Sequence, residues 1–404
     1  MKILSRFALA AAVFMSFVLI NRLADAQIME TSTQYLWGDD DLGNSQSIFA
    51  EYLRLNLKPA GQNYSVTGYG RAWKDLAGDN NIRDDDALGR LYYLYFDYNP
   101  TEKLSFRLGR QWANFTSGSS VMDGITANVS EIGPVGMTFS AGRTVVYSLD
   151  SEFSRFGNYF MGFDIHAINL RATQLGVSYT RFYDEWDLAR EEVGLNFKHY
   201  FSVASPYAEI KYDIISKTFD EATIGMDVYP VNNLAIKAEF YHSYPTFDST
   251  SIYSVFAVDK YSQYLLRAEY SFEKPVSVFV SYAREDFDEG SNADLYTVGT
   301  RFRPYEKLAI TTSLSSREGY GGHLLGFEVE GDYQVGKQLT ASAGLATEGY
   351  RRPDQFDYNS ASNFWAGANW TIKKNMSVSA RLEDQMDENF SYHPMGRLVL
   401  NWEM

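Results

Sequence analysis

Residues 326–345 read GFEVEGDYQVGKQLTASAGL, and this stretch decides the fold. In its first half, apolar residues alternate with the three acids Glu328, Glu330 and Asp332. After a turn around Gly336 the alternation resumes with small apolar residues up to Leu345. Because alternation with a period of two places each set on one face of a strand, the stretch predicts a β-hairpin. One face of this hairpin is acidic, and the other is apolar but lacks the bulk of a soluble core.

The same pattern recurs along the chain. Segments of roughly ten alternating residues appear about twenty times, and a tilted strand needs about this length to cross a bilayer. Clear examples are residues 193–197, 234–240 and 376–382. No helical periodicity of comparable length competes with this interpretation.

The connections between these segments fall into two classes. Short connections alternate with longer loops that are acidic or rich in serine and glycine. A soluble sandwich can also alternate apolar and polar residues, but it has no reason to keep this order of connections. Short periplasmic turns and longer external loops do produce it in an outer-membrane barrel. The clearest short connections are KPAGQN (58–63), NPTEK (99–103) and RPYEK (303–307), and the longest loops are 74–87, 245–260 and 350–362.

Aromatic residues lie on the apolar face just before short turns. The five that do so are Tyr98, Phe272, Phe302, Tyr333 and Trp370. Amphipathic rings prefer a membrane interface, so these positions predict an aromatic girdle. The apolar face then meets lipid and needs no interlocking bulk. The opposite arrangement would place charges in hydrocarbon, at about 2–4 kcal/mol for each basic residue at the midplane.

Composition narrows the class of protein. The chain has 404 residues and no cysteine, which excludes disulfides, thiolate metal sites and covalent haem attachment to this chain. Its net charge of −15 argues against nucleic acid as a partner. Residues 1–26 combine Lys2 and Arg6, an apolar run, and the sequence ADA at 24–26, which predicts a cleaved signal peptide. Residues 27–404 are predicted to form one domain.

Counting the segments gives a strand number. The segments between Ile48 and the C-terminus, with TSTQYLWG at 31–38 as the first strand, give about 22 strands, with a range of 18–22. The predicted fold is all-β, a single antiparallel transmembrane up-and-down β-barrel.

The C-terminal sequence GRLVLNWEM places Leu398, Leu400, Trp402 and Met404 on one face. It resembles the last strand of Gram-negative outer-membrane β-barrels, which closes the barrel and is also the assembly signal. The family pattern usually ends in Phe or Trp, whereas this chain ends in Met404. The sequence FRLGRQW at 106–112 resembles a strand common in porin-like channels. The resemblance covers the mature chain and implies location in the cell outer membrane.

The polar positions of the strands are predicted to face the lumen. Among them, Arg54, Arg71 and Arg107 lie on neighbouring early strands and form either a basic ladder or ion pairs across the lumen. The predicted pore-lining residues are Arg54, Arg71, Arg107, Lys198, Glu209, Lys211, Asp213, Lys237, Glu239, Arg267, Glu269, Arg301, Glu328, Glu330, Asp332, Arg381 and Glu383.

Catalytic chemistry is not predicted. The five histidines are scattered without metal-ligand spacing, and no nucleophile, paired-carboxylate or phosphate-loop motif stands out. We therefore expect neither an enzyme nor a bound cofactor or metal. The acidic segments 38–44 and 79–86 are either solvated loops or calcium sites, although their spacing fits no standard calcium loop.

Two functions remain. The first is a porin-like pore in contact with outer-membrane lipid that passes small solutes or ions. The second is a barrel sheath enclosing a periplasmic multihaem c-type cytochrome in a porin–cytochrome conduit for electron transfer. Barrels of about 16–18 strands leave an aqueous channel, whereas those near 22 are normally filled. No loop is long enough to fold inward, which favours a filled lumen. A gated plug-type receptor would need a larger N-terminal domain.

Overall fold

The computed structural model of the protein describes residues 26–39, 45–77, 88–147, 152–154, 156–244, 260–272, 275–352, 357–388 and 392–403. The predicted signal peptide before Ala26, the acidic segment 79–86, most of the acidic segment 38–44 and Met404 lie outside these residues. In the described part, 22 strands form one sheet. No helix in the same part is long and apolar enough to cross a membrane.

Each strand of the sheet pairs antiparallel with the next one along the chain. Two further short strands, β8 and β9, pair only with each other. The strands are β1 (Ala26–Asp39), β2 (Ser45–Lys58), β3 (Tyr64–Asp75), β4 (Leu88–Thr101), β5 (Leu104–Phe115), β6 (Gly118–Ile132), β7 (Val135–Thr144), β8 (Val146–Tyr147), β9 (Glu152–Phe153), β10 (Tyr159–Leu170), β11 (Thr173–Asp184), β12 (Asp187–His199), β13 (Ala204–Asp213), β14 (Thr218–Val231), β15 (Leu234–Ser243), β16 (Tyr261–Ser271), β17 (Val276–Phe287), β18 (Asn292–Tyr305), β19 (Leu308–Gly319), β20 (Gly322–Gln334), β21 (Leu339–Arg351), β22 (Asn359–Lys373), β23 (Met376–Met386) and β24 (His393–Glu403).

The sheet closes on itself. The last strand, β24, pairs with β1 from Glu30 opposite Glu403 to Trp37 opposite Gly396. Closure leaves no free edge, so every wall strand pairs with a neighbouring strand on both sides along most of its length, as hydrocarbon requires. This confirms the predicted up-and-down barrel, its strand number and its first strand.

Alternation along the strands produces an apolar outer face. In β20, Leu325, Phe327 and Tyr333 are among the large apolar residues with exposed side chains. All five residues of the predicted aromatic girdle are exposed as well. Exposed rings and aliphatic chains on this face have the composition that a lipid-facing surface needs.

The two ends of the barrel differ in their connections. We call the end that carries Ala26 and Glu403 the terminal end, and the other the loop end. The connections at the terminal end are short, as predicted, but those at the loop end are not all long. Three of them contain only two residues, Thr116–Ser117, Glu185–Trp186 and Tyr320–Gly321. Glu185 and Trp186 both have positive φ (50° and 77°), the conformation of the tight hairpin turn that matches strand twist.

The closing strand provides a test of the assignment of faces. Leu398 points outward from β24 and is 44% exposed. We expect Leu398→Arg to destabilise the barrel by about 2–4 kcal/mol, since the guanidinium would enter hydrocarbon. The measurement is the fraction of folded, heat-modifiable protein after refolding into lipid vesicles.

The matched control is Asn401→Arg on the same strand, because Asn401 has the opposite orientation and is exposed on the inner side. This variant should fold as well as the unmodified protein. Equal folding of the two variants would show that the faces have been assigned wrongly.

Candidate functional site

The hairpin formed by β5 and β6 leaves the barrel wall near the loop end. β5 pairs with β4 only as far as Arg110, and β6 pairs with β7 only as far as Met122. The two strands nevertheless remain paired with each other up to Phe115 opposite Gly118. We call residues 112–120 the inward tip, because this segment has separated from both neighbouring wall strands.

Side chains cover the backbone that the hairpin leaves behind. The carbonyl oxygen of Leu91 on β4 accepts hydrogen bonds from Arg110 Nη1 at 3.2 Å and from the Tyr147 hydroxyl at 3.0 Å. The same hydroxyl contacts the Tyr92 carbonyl oxygen at 3.1 Å. Arg110 is itself held by Asp123, with Nε 2.8 Å from Oδ1. These contacts satisfy carbonyl groups that would otherwise face the membrane without a donor.

The inward tip docks on the inner faces of β11 and β12. The Ser117 amide donates to Ser178 Oγ at 2.8 Å, and Asn196 Nδ2 donates to Thr116 Oγ1 at 2.9 Å. Ser178 is buried, while its neighbour Val177 is 48% exposed on the outer face. The tip therefore lies inside the barrel.

A small apolar core holds the base of the tip. Ala113, Met122 and Phe160 are buried there, with Phe115 and Phe182 packed against them. The ring centroids of Phe160 and Phe182 are 5.0 Å apart in an edge-to-face arrangement. Each fully buried side chain of this size contributes about 1.5–3 kcal/mol. Within a lumen lined largely by polar groups, this cluster fixes the hairpin in its bent position.

Glycines on the wall make room for the tip. A Cβ at Gly162 would overlap the ring of Phe115, and a Cβ at Gly194 would overlap the amide nitrogen of Ser117. On the tip itself, a Cβ at Gly118 would lie 2.9 Å from Glu192 Oε2. The tip can approach the wall this closely only because these three positions lack side chains.

A buried charge cluster lies beside the tip. Glu192 is fully buried, with Lys211 Nζ 3.1 Å from its Oε1 atom. The same ammonium group lies 2.8 Å from Asp220 Oδ2. Arg190 Nη1 is 3.9 Å from Glu192 Oε1. Lys211 therefore joins two carboxylates in a nearly dry part of the inner wall. Of these residues, the sequence had indicated only Lys211 as pore-lining.

Asp213, which was also predicted to line the pore, has a local structural contact. Its carboxylate accepts hydrogen bonds from the backbone amides of Ile215 at 2.8 Å and Ser216 at 3.2 Å. The side chain is almost fully buried. It thus caps the turn between β13 and β14, as aspartate commonly does.

Between the tip and the terminal end lies a cavity of about 530 Å³. We call this cavity the chamber. The tip contributes one side of it, and the inner faces of β10 to β13 contribute the rest. Its polar lining comprises Asn114, Thr116, Asp164, His166, Gln174, Asn196 and Glu209.

Two early arginines have carboxylate partners on adjacent strands. Arg54 Nη1 lies 3.3 Å from Glu30 Oε2, and Arg107 Nε lies 2.8 Å from Asp97 Oδ1. These ion pairs run along the wall between neighbouring strands and do not cross the lumen. The guanidinium of Arg107 also lies 4.0 Å from the ring centroid of Tyr95, so it is held by stacking as well.

Arg71 differs from these two. Its guanidinium lies 3.9 Å from the ring centroid of Trp73, and its Nη1 donates to the Tyr52 hydroxyl at 3.3 Å. Stacking on aromatic faces is a geometry that arginine favours. Among the described residues, no ion pair to Arg71 is present.

Most other predicted pore-lining charges are paired locally. Lys198 is an exception, since its ammonium lies 5.2 Å from the Tyr200 ring and 6.0 Å from the Tyr207 ring. Neighbouring charges of opposite sign neutralise much of this wall. The pairs are Lys237–Glu239 at 2.8 Å, Arg267–Glu269 at 3.5 Å, Arg301–Glu269 at 2.5 Å and Arg381–Glu383 at 3.0 Å.

Three carboxylates on β20 form a contrasting surface, the acidic wall: Glu328, Glu330 and Asp332. Their cross-strand partners are uncharged, for example Ser313 opposite Glu328 and Thr311 opposite Glu330. Their side chains are exposed, and no ion pair to them occurs within the described ranges. Such a group of like charges raises the local concentration of cations.

We expect the acidic wall to influence ion preference. The triple variant Glu328→Gln, Glu330→Gln and Asp332→Asn should lower the permeability ratio of potassium to chloride by about half. The measurement is the reversal potential across a planar bilayer under a salt gradient.

The control removes carboxylates from turns at the terminal end, through Glu102→Gln and Glu306→Gln. A shift in reversal potential as large as that of the triple variant would mean that the acidic wall has no special part in ion preference.

No metal site is evident in the part of the chain that the structure describes. There, no three histidine, aspartate or glutamate side chains lie close enough together to hold an ion.

Comparison with known proteins identifies the fold alone. No protein-family model matches the chain, and no curated protein matches it. Among solved structures, it is similar to the siderophore receptor PirA from Pseudomonas aeruginosa, with a TM-score of 0.62 and 11% identity over 95% of this chain and 81% of that chain. A mutant form of the ferric enterobactin receptor PfeA from the same organism is similar with a TM-score of 0.59 and 9% identity, again over 95% of this chain and 81% of that chain. The translocation pore of the P pilus usher PapC is similar with a TM-score of 0.55 and 11% identity, over 93% of this chain and 99% of that chain. The chain thus has the predicted fold of outer-membrane β-barrels.

Proposed function

We propose that the protein is an outer-membrane pore for passive passage of small solutes and ions, narrowed from within by the inward tip. The observation that carries this proposal is the docking of residues 112–120 against the inner faces of β11 and β12. The terminal end faces the periplasm in this account, because Ala26, Glu403 and the short connections lie there.

The inward tip also bears on the width of the lumen. A barrel of 22 strands without internal structure would leave a wide opening. The sequence predicted that no loop is long enough to fold inward, and the segment that bends inward is instead a strand hairpin, formed by β5 and β6. The tip occupies one side of the lumen, while the acidic wall on β20 remains exposed. These features support a passage that is narrowed but open.

The second candidate is the sheath around a periplasmic multihaem cytochrome. The observation in its favour is the strand number, since barrels of this size are normally filled. Paired charges such as Lys237 with Glu239 suit a polar protein surface as well as hydrated ions. The docked tip takes space that such a partner would otherwise occupy, so we place this candidate second.

One experiment separates the two candidates. The protein is purified from its native membrane and, in parallel, refolded alone, and both preparations are inserted into planar bilayers. The pore predicts equal conductance steps for both and no protein in fixed ratio. A co-purifying haem protein, together with a native preparation that conducts little, would favour the sheath.

A further inference from the structure

We propose that the chamber below the inward tip binds small solutes that carry ammonium groups. The proposal rests on the function above, because the solute reaches the chamber through the lumen. It also assigns a substrate class that the general description of a pore leaves open. The hydrogen-bonding capacity, the charge and the size of the chamber each support the proposal independently.

The charges of the chamber are mainly negative. Asp164 and Glu209 contribute two carboxylates. His166 Nδ1 lies 2.5 Å from Asp164 Oδ1, so the imidazole orients that carboxylate and leaves its second oxygen available. Glu209 is exposed to the cavity, and no ion pair to it occurs in the part of the chain that the structure describes.

Among the remaining polar groups of the chamber, Asn196 offers an acceptor as well. Asn196 uses its Nδ2 to donate to Thr116 Oγ1, so its amide oxygen is left to accept. A chamber rich in acceptors is satisfied by a ligand rich in donors, and an ammonium group brings three.

Basic side chains are missing from the lining. Neither lysine nor arginine lines the chamber within the described residues. Lys198 lies two residues beyond Asn196 on the same face, but its ammonium contacts the Tyr200 and Tyr207 rings. Lys211 is held by Glu192 and Asp220. A cationic solute would therefore meet two carboxylates without a competing lysine or arginine on the lining.

The size and position of the chamber suit a small organic molecule. Its volume of about 530 Å³ lies within the range of about 300–1,000 Å³ that small-molecule sites have. The tip, through Asn114 and Thr116, forms one side of the chamber. A solute passing the narrowed part of the lumen is thereby brought next to Asp164 and Glu209.

The test uses three probes of equal chain length: 1,4-diaminobutane, 1,4-butanediol and succinate. Each is added to the refolded full-length protein in planar bilayers, and interruptions of the single-channel current are counted. Binding of each probe to detergent-solubilised protein is measured by calorimetry in parallel. The diamine should bind and interrupt the current, whereas the diol and the dianion should do neither.

The variant that tests the residue assignment is Glu209→Gln, which keeps shape and removes charge. It should raise the half-blocking concentration of the diamine about tenfold while the open-pore conductance persists. Glu306→Gln, in a turn at the terminal end, is the charge-matched control and should leave the block unchanged.

Each outcome has a distinct meaning. Conductance without a diamine effect would overturn the ammonium site and leave the pore intact. Diamine binding in calorimetry without conductance would support the site and contradict the pore. Equal effects of diol and diamine, or an undiminished block in Glu209→Gln, would overturn the assignment of the chamber to ammonium groups.

Discussion

Replacing Gly194 with leucine should expel the inward tip from the wall and raise single-channel conductance at least about twofold. Even a Cβ at this position would overlap the amide nitrogen of Ser117, and the leucine side chain fills the space where the tip docks. The tip would lose its hydrogen bond to Ser178 and move toward the loop end, away from the narrow part of the lumen. The measurement is conductance in planar bilayers at fixed salt concentration.

The control for this variant is Ala346→Leu. Ala346 lies on β21, opposite Glu328 of β20, and faces the lumen on a part of the wall away from the tip. The leucine introduced at position 346 adds a comparable side-chain volume to the lumen without touching the hairpin. This variant should therefore leave conductance unchanged or lower it slightly. A Gly194→Leu variant that folds and conducts like the Ala346→Leu variant would show that the tip does not narrow the pore.

The docked position itself can be captured chemically, because the chain has no cysteine. Thr116 Oγ1 and Asn196 Nδ2 are 2.9 Å apart, so cysteines introduced at both positions should be joined by a short bifunctional thiol reagent. The bridge should hold conductance at the unmodified level. Introducing Gly194→Leu into this pair should prevent the bridge from forming.

The second large effect concerns the buried charges beside the tip. Lys211→Met should lower the free energy of unfolding by about 3–5 kcal/mol, because it leaves the buried Glu192 with only the more distant Arg190 as a cationic neighbour. Glu192 is fully buried, and Asp220 would lose the same partner. The measurement is denaturant unfolding of the barrel in lipid vesicles.

Two comparisons make this prediction specific. Lys237→Met breaks a more exposed pair with Glu239 and should cost at most about 1 kcal/mol. Adding Glu192→Gln to Lys211→Met should recover part of the loss, since the uncompensated charge is removed. Equal losses in the free energy of unfolding for Lys211→Met and Lys237→Met would mean that burial does not determine how much the Lys211 ion pairs contribute to stability.

The wall of the barrel was predictable because its signal is local and repeated. The alternation around Glu328 and Glu330 correctly predicted which face of the strand meets the lumen. The outward-facing alternate residues up to Trp402 correctly predicted the strand that closes the barrel. A shift of one residue would turn every side chain to the wrong face, so a charged strand has a clear register in lipid. The paired charges of Lys237 and Glu239 follow from the same period.

The inward tip was not predictable from that signal. Residues 106–112 alternate like any wall strand, and nothing in them shows that pairing with β4 ends at Arg110. The usable hints were non-local: glycines at 162 and 194 on inner faces where other strands carry polar side chains. Glu192 was missed for the same reason, since its burial depends on contact with Gly118, far away in sequence.

The measurement that tests the central claim most directly is the size limit for uncharged solutes. The protein, refolded alone into liposomes, is exposed to sugars of increasing size, and the swelling rate is recorded by light scattering. A pore narrowed by the inward tip predicts rapid entry of monosaccharides, exclusion of large oligosaccharides, and a higher size limit in Gly194→Leu. Liposomes that contain fully folded barrels yet admit no sugar at all, or that admit large oligosaccharides as fast as monosaccharides, would contradict this account.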